Sequence, residues 1–94
     1  MQPGELLERE LKIVNARGLH ARAAARLVKT AENFDADITI FHDGQTVSAT
    51  SVMDLLLLAA AKGSTIVAQA SGPQAREALD AIAALVADRF GEDE

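Results

Sequence analysis

Apolar positions along the chain switch between a period of two and a period near 3.6, the spacings of strand and helix. After a loose start from Met1 to about Leu7, Leu11 and Ile13 alternate with Lys12 and Val14, which predicts a first strand ending at Asn15 or Ala16. Arg17-Gly18 makes a turn, and from Ala21 the period becomes helical. Ala24, Leu27, Val28 and Ala31 share one face of this helix, while Arg22, Arg26 and Lys29 share another. Phe34 packs where the helix ends. Ile38 and Ile40 mark a second strand, Asp43-Gly44 a tight hairpin turn with positive φ at both residues, and Thr46 to Ala49 a third strand.

Ser51-Val52-Met53-Asp54 has the spacing of a capping box, with Asp54 in place of the usual Glu, and opens a second helix from about Val52 to Ala60. Leu55 and Leu58 are its core candidates. Ile66, Ala68 and Ala70 alternate with Val67 and Gln69 as a fourth strand. Ser71-Gly72-Pro73 then starts a helix, with Pro at or near its first position. Ala75, Ala78, Leu79, Ile82, Leu85, Val86 and Phe90 form its apolar stripe, Gly91 stops it, and Glu92 to Glu94 make an acidic tail. The order is β-α-β-β-α-β-α. It predicts an α+β fold, an open-faced β-sandwich with a four-stranded, mostly antiparallel sheet and three helices on one face. One domain covers residues 1–94, with its core at about 10–90.

Composition narrows the chemistry. Of the aromatics there are only Phe34, Phe41 and Phe90, so the core must be built from Ala, Leu, Ile and Val. With no cysteine, the chain has no disulfide, no zinc thiolate and no thiol nucleophile. His20 and His42 lie far apart and give no metal-site pattern; His42 reads as a solvent-facing or turn residue. The net charge of −5 argues against nucleic acid as a partner. The apolar run Leu55 to Ala61 is too short to span a bilayer, and Met1 to Glu10 lacks the features of a secretory signal. These features predict a cytoplasmic protein needing no metal or cofactor; a monomer is expected because partners must reach His20.

Gly18-Leu19-His20-Ala21-Arg22 carries the most chemistry. A helix start offers unpaired backbone N–H groups and the positive end of the peptide dipoles, and so stabilises an anion. A histidine there can act as a nucleophile, taking a phosphoryl group and finding the new negative charge already solvated. Arg22, two residues on, can grip phosphate oxygens, and Arg17 in the turn could add a second cation. Arg26 and Lys29 extend a basic strip suited to steering an acidic partner surface. The second helix is apolar nearly all round, and Val52, Met53, Leu56 and Leu57 are candidates for an exposed docking patch.

With these elements in place the chain resembles the HPr family of histidine phosphocarrier proteins of the bacterial phosphotransferase system, including its nitrogen-related (NPr-like) branch. The resemblance rests on Gly18-Leu19-His20-Ala21-Arg22, on Ser51-Val52-Met53-Asp54-Leu55, and on the element order from about residue 10 to 90. It implies that His20 accepts a phosphoryl group from phosphorylated Enzyme I and passes it to a IIA-type protein, as a stoichiometric carrier and not an enzyme. It implies a regulatory role for Ser51, phosphorylated by an HPr kinase/phosphorylase. The chain departs from the family pattern at Ala23, where Pro is usual; alanine is a good helix former and keeps the helix. Two other readings stand beside this one. A non-catalytic binding module for a metabolite or partner protein would not explain the basic cluster around a helix-start histidine. RNA binding on the open sheet face calls for stacking aromatics, and only Phe41 is placed for it.

Overall fold

The computed structural model describes residues 6–94. Four strands, β1 (Leu7–Lys12), β2 (Asp37–His42), β3 (Gln45–Ser48) and β4 (Thr65–Ser71), form one sheet in the order β1-β4-β2-β3. Every neighbouring pair is antiparallel. The helices are α1 (Ala21–Ala31), α2 (Val52–Leu57) and α3 (Ala75–Ala87), followed by a single 3-10 turn, Arg89–Gly91. This is the open-faced α+β sandwich expected from the pattern. Among the described residues no helix is long and apolar enough to cross a membrane.

The core lies between the sheet and the helices. Ile66, Ala68 and Ala70 of the central strand β4 are all fully buried, as is Ile40 beside Ala68 in the register. Their small and β-branched side chains let α3 sit close to the sheet. Leu27 of α1, Leu55 of α2 and Ile82 and Val86 of α3 close the core from the other side. Leu58 is buried as expected, and Phe34 is half-buried against the same cluster. The Asp43-Gly44 turn has φ values of 49° and 83°, the double left-handed geometry of a two-residue hairpin.

The boundaries correct the expectation in four places. The expected loose start lies partly outside the described residues; within them, β1 begins at Leu7 and ends at Lys12. Its period-two pattern is hidden because Arg9 occupies a position between Leu7 and Leu11 on the helix-facing side. The guanidinium escapes to the edge, where Arg9 Nη2 meets Asp80 Oδ1 of α3 at 2.7 Å. Second, α2 stops at Leu57, because Ala59 turns into the left-handed region at φ 52°. Third, Gln74 is the N-cap of α3, so Pro73 lies just ahead of the helix. Fourth, α3 ends at Ala87, and Phe90 is not in it. Arg89, Phe90 and Gly91 all take positive φ, 56°, 54° and 78°. Phe90 fits the helical stripe by spacing, yet it is buried by this left-handed turn instead, and its burial compensates the backbone strain.

Candidate functional site

The loop from β1 to α1 is held in a narrow slot. Gly18 has φ +69°, and a Cβ there would lie 2.6 Å from the Ala60 carbonyl oxygen. Only glycine allows this approach, which lets the Leu19 N–H donate to Ala60 O at 2.9 Å. Asn15, fully buried, braces the loop from inside: its Nδ2 donates to Gly18 O at 2.8 Å. The His20 N–H also donates to Gly18 O, at 3.0 Å. The backbone at His20 is thereby fixed as the N-cap of α1, with φ −87° and ψ −176°.

Both imidazole nitrogens are engaged. The Arg22 backbone N–H donates to His20 Nδ1 at 3.3 Å. Accepting this bond requires an unprotonated Nδ1, so in the neutral ring the proton sits on Nε2, which donates to Glu92 Oε2. The side chains of His20 and Glu92 are only 16% and 13% exposed. Glu92 Oε1 accepts from Asn15 Nδ2 at 2.9 Å, so a single Asn15 nitrogen ties the loop to the tail. That pair of acceptors fixes the amide orientation, and Asn15 Oδ1 is left without a hydrogen-bond partner among the described residues. Burial works against ionisation of Glu92. The hydrogen bonds from Asn15 and His20, with the positive charges of Arg17 and of the protonated His20 ring, outweigh it and hold the carboxyl below its ordinary value of 4.5.

Around the outer edge an open pocket of about 450 Å³ is lined by Arg17, Arg22 and Arg26 and by Glu92, Asp93 and Glu94. Arg17, Arg22 and Arg26 share this pocket with the three acidic residues, at the end of α1 that His20 caps. The amides of Ala21, Arg22 and Ala23 precede the first helical bond, from Ala24 N to His20 O at 2.8 Å, so their N–H groups face this end of α1. Ala23, which stands where the family pattern has Pro, is fully buried in that turn. A tetrahedral dianion on Nδ1 would meet the N–H groups of the first turn of α1, with Arg17 and Arg22 in the adjoining pocket.

The sequence-predicted residues fall into two groups. His20, Arg22 and Arg17 gather at this corner, and Arg26 joins them through Nη1, which donates to Phe90 O. Arg26 is thus a tether for the tail as well as part of a basic strip, while Lys29 stays exposed one turn further on. Ser51 sits apart, as the N-cap of α2: its Oγ accepts from Asp54 N at 3.3 Å. The capping box is only half formed, since Ser51 N donates to Ser48 O. Met53 and Leu57 are both 70% exposed, whereas Val52 and Leu56 are half-buried against the core. His42, half-buried beside the hairpin, has Nδ1 3.2 Å from Thr65 O and takes no part.

Sequence reading missed Asn15 and Glu92. Asn15 looked like a strand end and Glu92 like part of a solvated tail. The available signal was Phe90-Gly91, an apolar residue followed by a turn former, which can fold an acidic segment back onto a basic cluster.

Comparison with known proteins adds the family. Residues 7–88 match the family described as PTS HPr component phosphorylation site, a match that stops short of Glu92. The chain is 45% identical over 89 residues to phosphocarrier protein HPr of Cupriavidus necator, covering 95% of this chain and 100% of that protein. It is 49% identical over 86 residues to phosphocarrier protein NPr of Shewanella violacea, covering 92% and 94%. A crystal structure of HPr from Bacillus anthracis superposes with a TM-score of 0.82 at 42% identity, covering 86% of this chain and 96% of that one. With a phosphorylation-site family match along most of its length and relatives of both names, this chain belongs to the HPr/NPr family of phosphocarrier proteins of the phosphotransferase system.

Proposed function

We propose that His20 Nδ1 is the atom that carries the phosphoryl group. The observation behind this is that His20 Nδ1 accepts the Arg22 N–H at the start of α1, beside a pocket whose lining includes Arg17, Arg22 and Arg26. In the reaction, the Nδ1 lone pair attacks phosphorus and the N–P bond forms. The bond to the donor breaks, and its electron pair leaves with the donor. The proton on Nε2 stays where it is. Arg22 and Arg17 neutralise the charge on the three equatorial oxygens, and the helix-start amides of α1 solvate it. Passing the group on reverses these steps.

In this reading the donor is phosphorylated Enzyme I and the acceptor a IIA-type protein. Met53 and Leu57 supply an apolar contact and Lys29 a steering charge for partner surfaces that also reach the His20 corner. Ser51 is the regulatory acceptor for an HPr kinase/phosphorylase: a phosphate on its hydroxyl would face the N–H groups of α2 and could block docking without unfolding the helix. The protein acts as a cytoplasmic monomer, so that successive partners approach the same exposed corner.

The test is incubation with Enzyme I and phosphoenolpyruvate, followed by detection of an acid-labile phosphate. One phosphate per chain is expected on the native protein and none on His20→Ala. Arg22→Ala should slow acceptance by roughly ten- to hundredfold, the loss of one charge-assisted interaction. A phosphate retained by His20→Ala would overturn the reading.

A further inference from the structure

We propose that Glu92 is a positioning residue for phosphoryl transfer, acting on His20 from the ring edge opposite the one that reacts. The inference rests on His20 being the carrier. It concerns a residue in the C-terminal segment, beyond the stretch that carries the phosphorylation motif. Three observations support it. Glu92 Oε2 accepts the hydrogen bond from His20 Nε2, with both side chains largely shielded from water. The second oxygen, Oε1, is held by the fully buried Asn15, whose same nitrogen holds Gly18 O, so the carboxylate and the His20 loop share one brace. The segment is returned to this place by the left-handed turn at Arg89–Gly91, locked by Phe90 in the core and by Arg26 on the Phe90 carbonyl.

The carboxylate has two effects. Before transfer it keeps the proton on Nε2 and the lone pair on Nδ1, where the helix start and the arginines can receive the phosphoryl group. During transfer the ring goes from neutral imidazole to N-phosphorylated imidazolium, because Nδ1 gains a bond while Nε2 keeps its proton. The positive charge so created is shared with Nε2–H, against the carboxylate. In the onward step the ring leaves as neutral imidazole, still protonated on Nε2, and no proton has to move. A carboxylate orienting and stabilising an imidazolium in this way is the third member of a serine-hydrolase triad transposed to a phosphocarrier.

The two effects separate by substitution. Glu92→Gln keeps an oxygen that can accept from Nε2–H but removes the charge; Glu92→Ala removes both. The ring tautomer is read by 15N NMR of His20 in the unphosphorylated full chain, and acceptance from Enzyme I by rapid-quench kinetics. Native protein and Glu92→Gln should both show the Nε2–H form, and Glu92→Ala a mixture of the two tautomers. Acceptance should fall by roughly tenfold or more in both variants, the scale of one hydrogen bond to a charged group. Native tautomer and native rate in both variants would overturn the proposal, and faster acceptance in either would do so too, since the carboxylate would then be an obstacle. In those cases His20→Ala still takes no phosphate if His20 is the carrier, so failure of the Glu92 role is distinguishable from failure of the reading beneath it.

Discussion

Gly18→Ala offers the sharpest test of how the site is built. The residue sits at φ +69°, where an L side chain costs about 1–2 kcal/mol. The new Cβ would also lie 2.6 Å from Ala60 O and 3.0 Å from Ala61 Cα, both backbone atoms that cannot rotate away. To open that gap the Leu19 N–H bond to Ala60 O must lengthen, at about 1 kcal/mol more. The sum, about 2–3 kcal/mol, should lower the thermal midpoint of a domain this size by about 10–20 °C. Gly44→Ala is the matched control: φ is +83°, yet nothing lies within 4 Å of its Cβ, so only the torsional cost applies. Urea denaturation of the two variants isolates the contact with α2's trailing loop. Because the Gly18 carbonyl anchors both Asn15 Nδ2 and the His20 N–H, Gly18→Ala should also slow phosphoryl acceptance, and Gly44→Ala should not. A Gly18→Ala loss no larger than that of Gly44→Ala, with native acceptance, would refute the reasoning.

Glu92 also predicts a pH signature. Its folded pKa lies below its ordinary value of 4.5, so its stabilisation is complete above that pH and disappears as pH falls through the folded value. Urea curves on both sides of 4.5 should show native protein and Glu92→Gln converging toward low pH. Ser51→Ala should lower stability by about 1 kcal/mol through loss of the cap on α2, and Ser51→Asp should retain most of it, both measured by urea denaturation. Replacing Met53 and Leu57 together by Asp should change stability by no more than about 0.5 kcal/mol while raising the KM of the carrier as substrate of Enzyme I. An unchanged KM would remove the docking role of α2. Leu55→Ala, by contrast, should cost about 2–5 kcal/mol in the same denaturation assay, because Leu55 is fully buried.

Most of the fold was legible because local period and turn chemistry agreed with the tertiary demand. Asp43-Gly44 needed only its own torsions to define the hairpin, and Ser51 needed only the next turn of chain to become a cap. The His20 corner was legible for the same reason, since a histidine before a helix and an arginine two residues on are local facts. What stayed hidden depended on distant partners. Arg9 breaks the alternation of β1 and makes sense only beside Asp80. Phe90 continues the stripe of α3 in sequence, and only three consecutive left-handed residues reveal that the chain has left the helix. Glu92 acquires its place from that turn, and the polarity of an acidic segment says nothing about where a turn will send it.

The His20 corner draws on the loop after β1, the residues after α2 and the turn after α3, segments that meet only when β1 has paired with β4 and α3 has docked on both. No contiguous peptide contains it. With His20 as the carrier, phosphoryl uptake is therefore a reporter of completed topology: a chain that takes the phosphate has brought all three segments together.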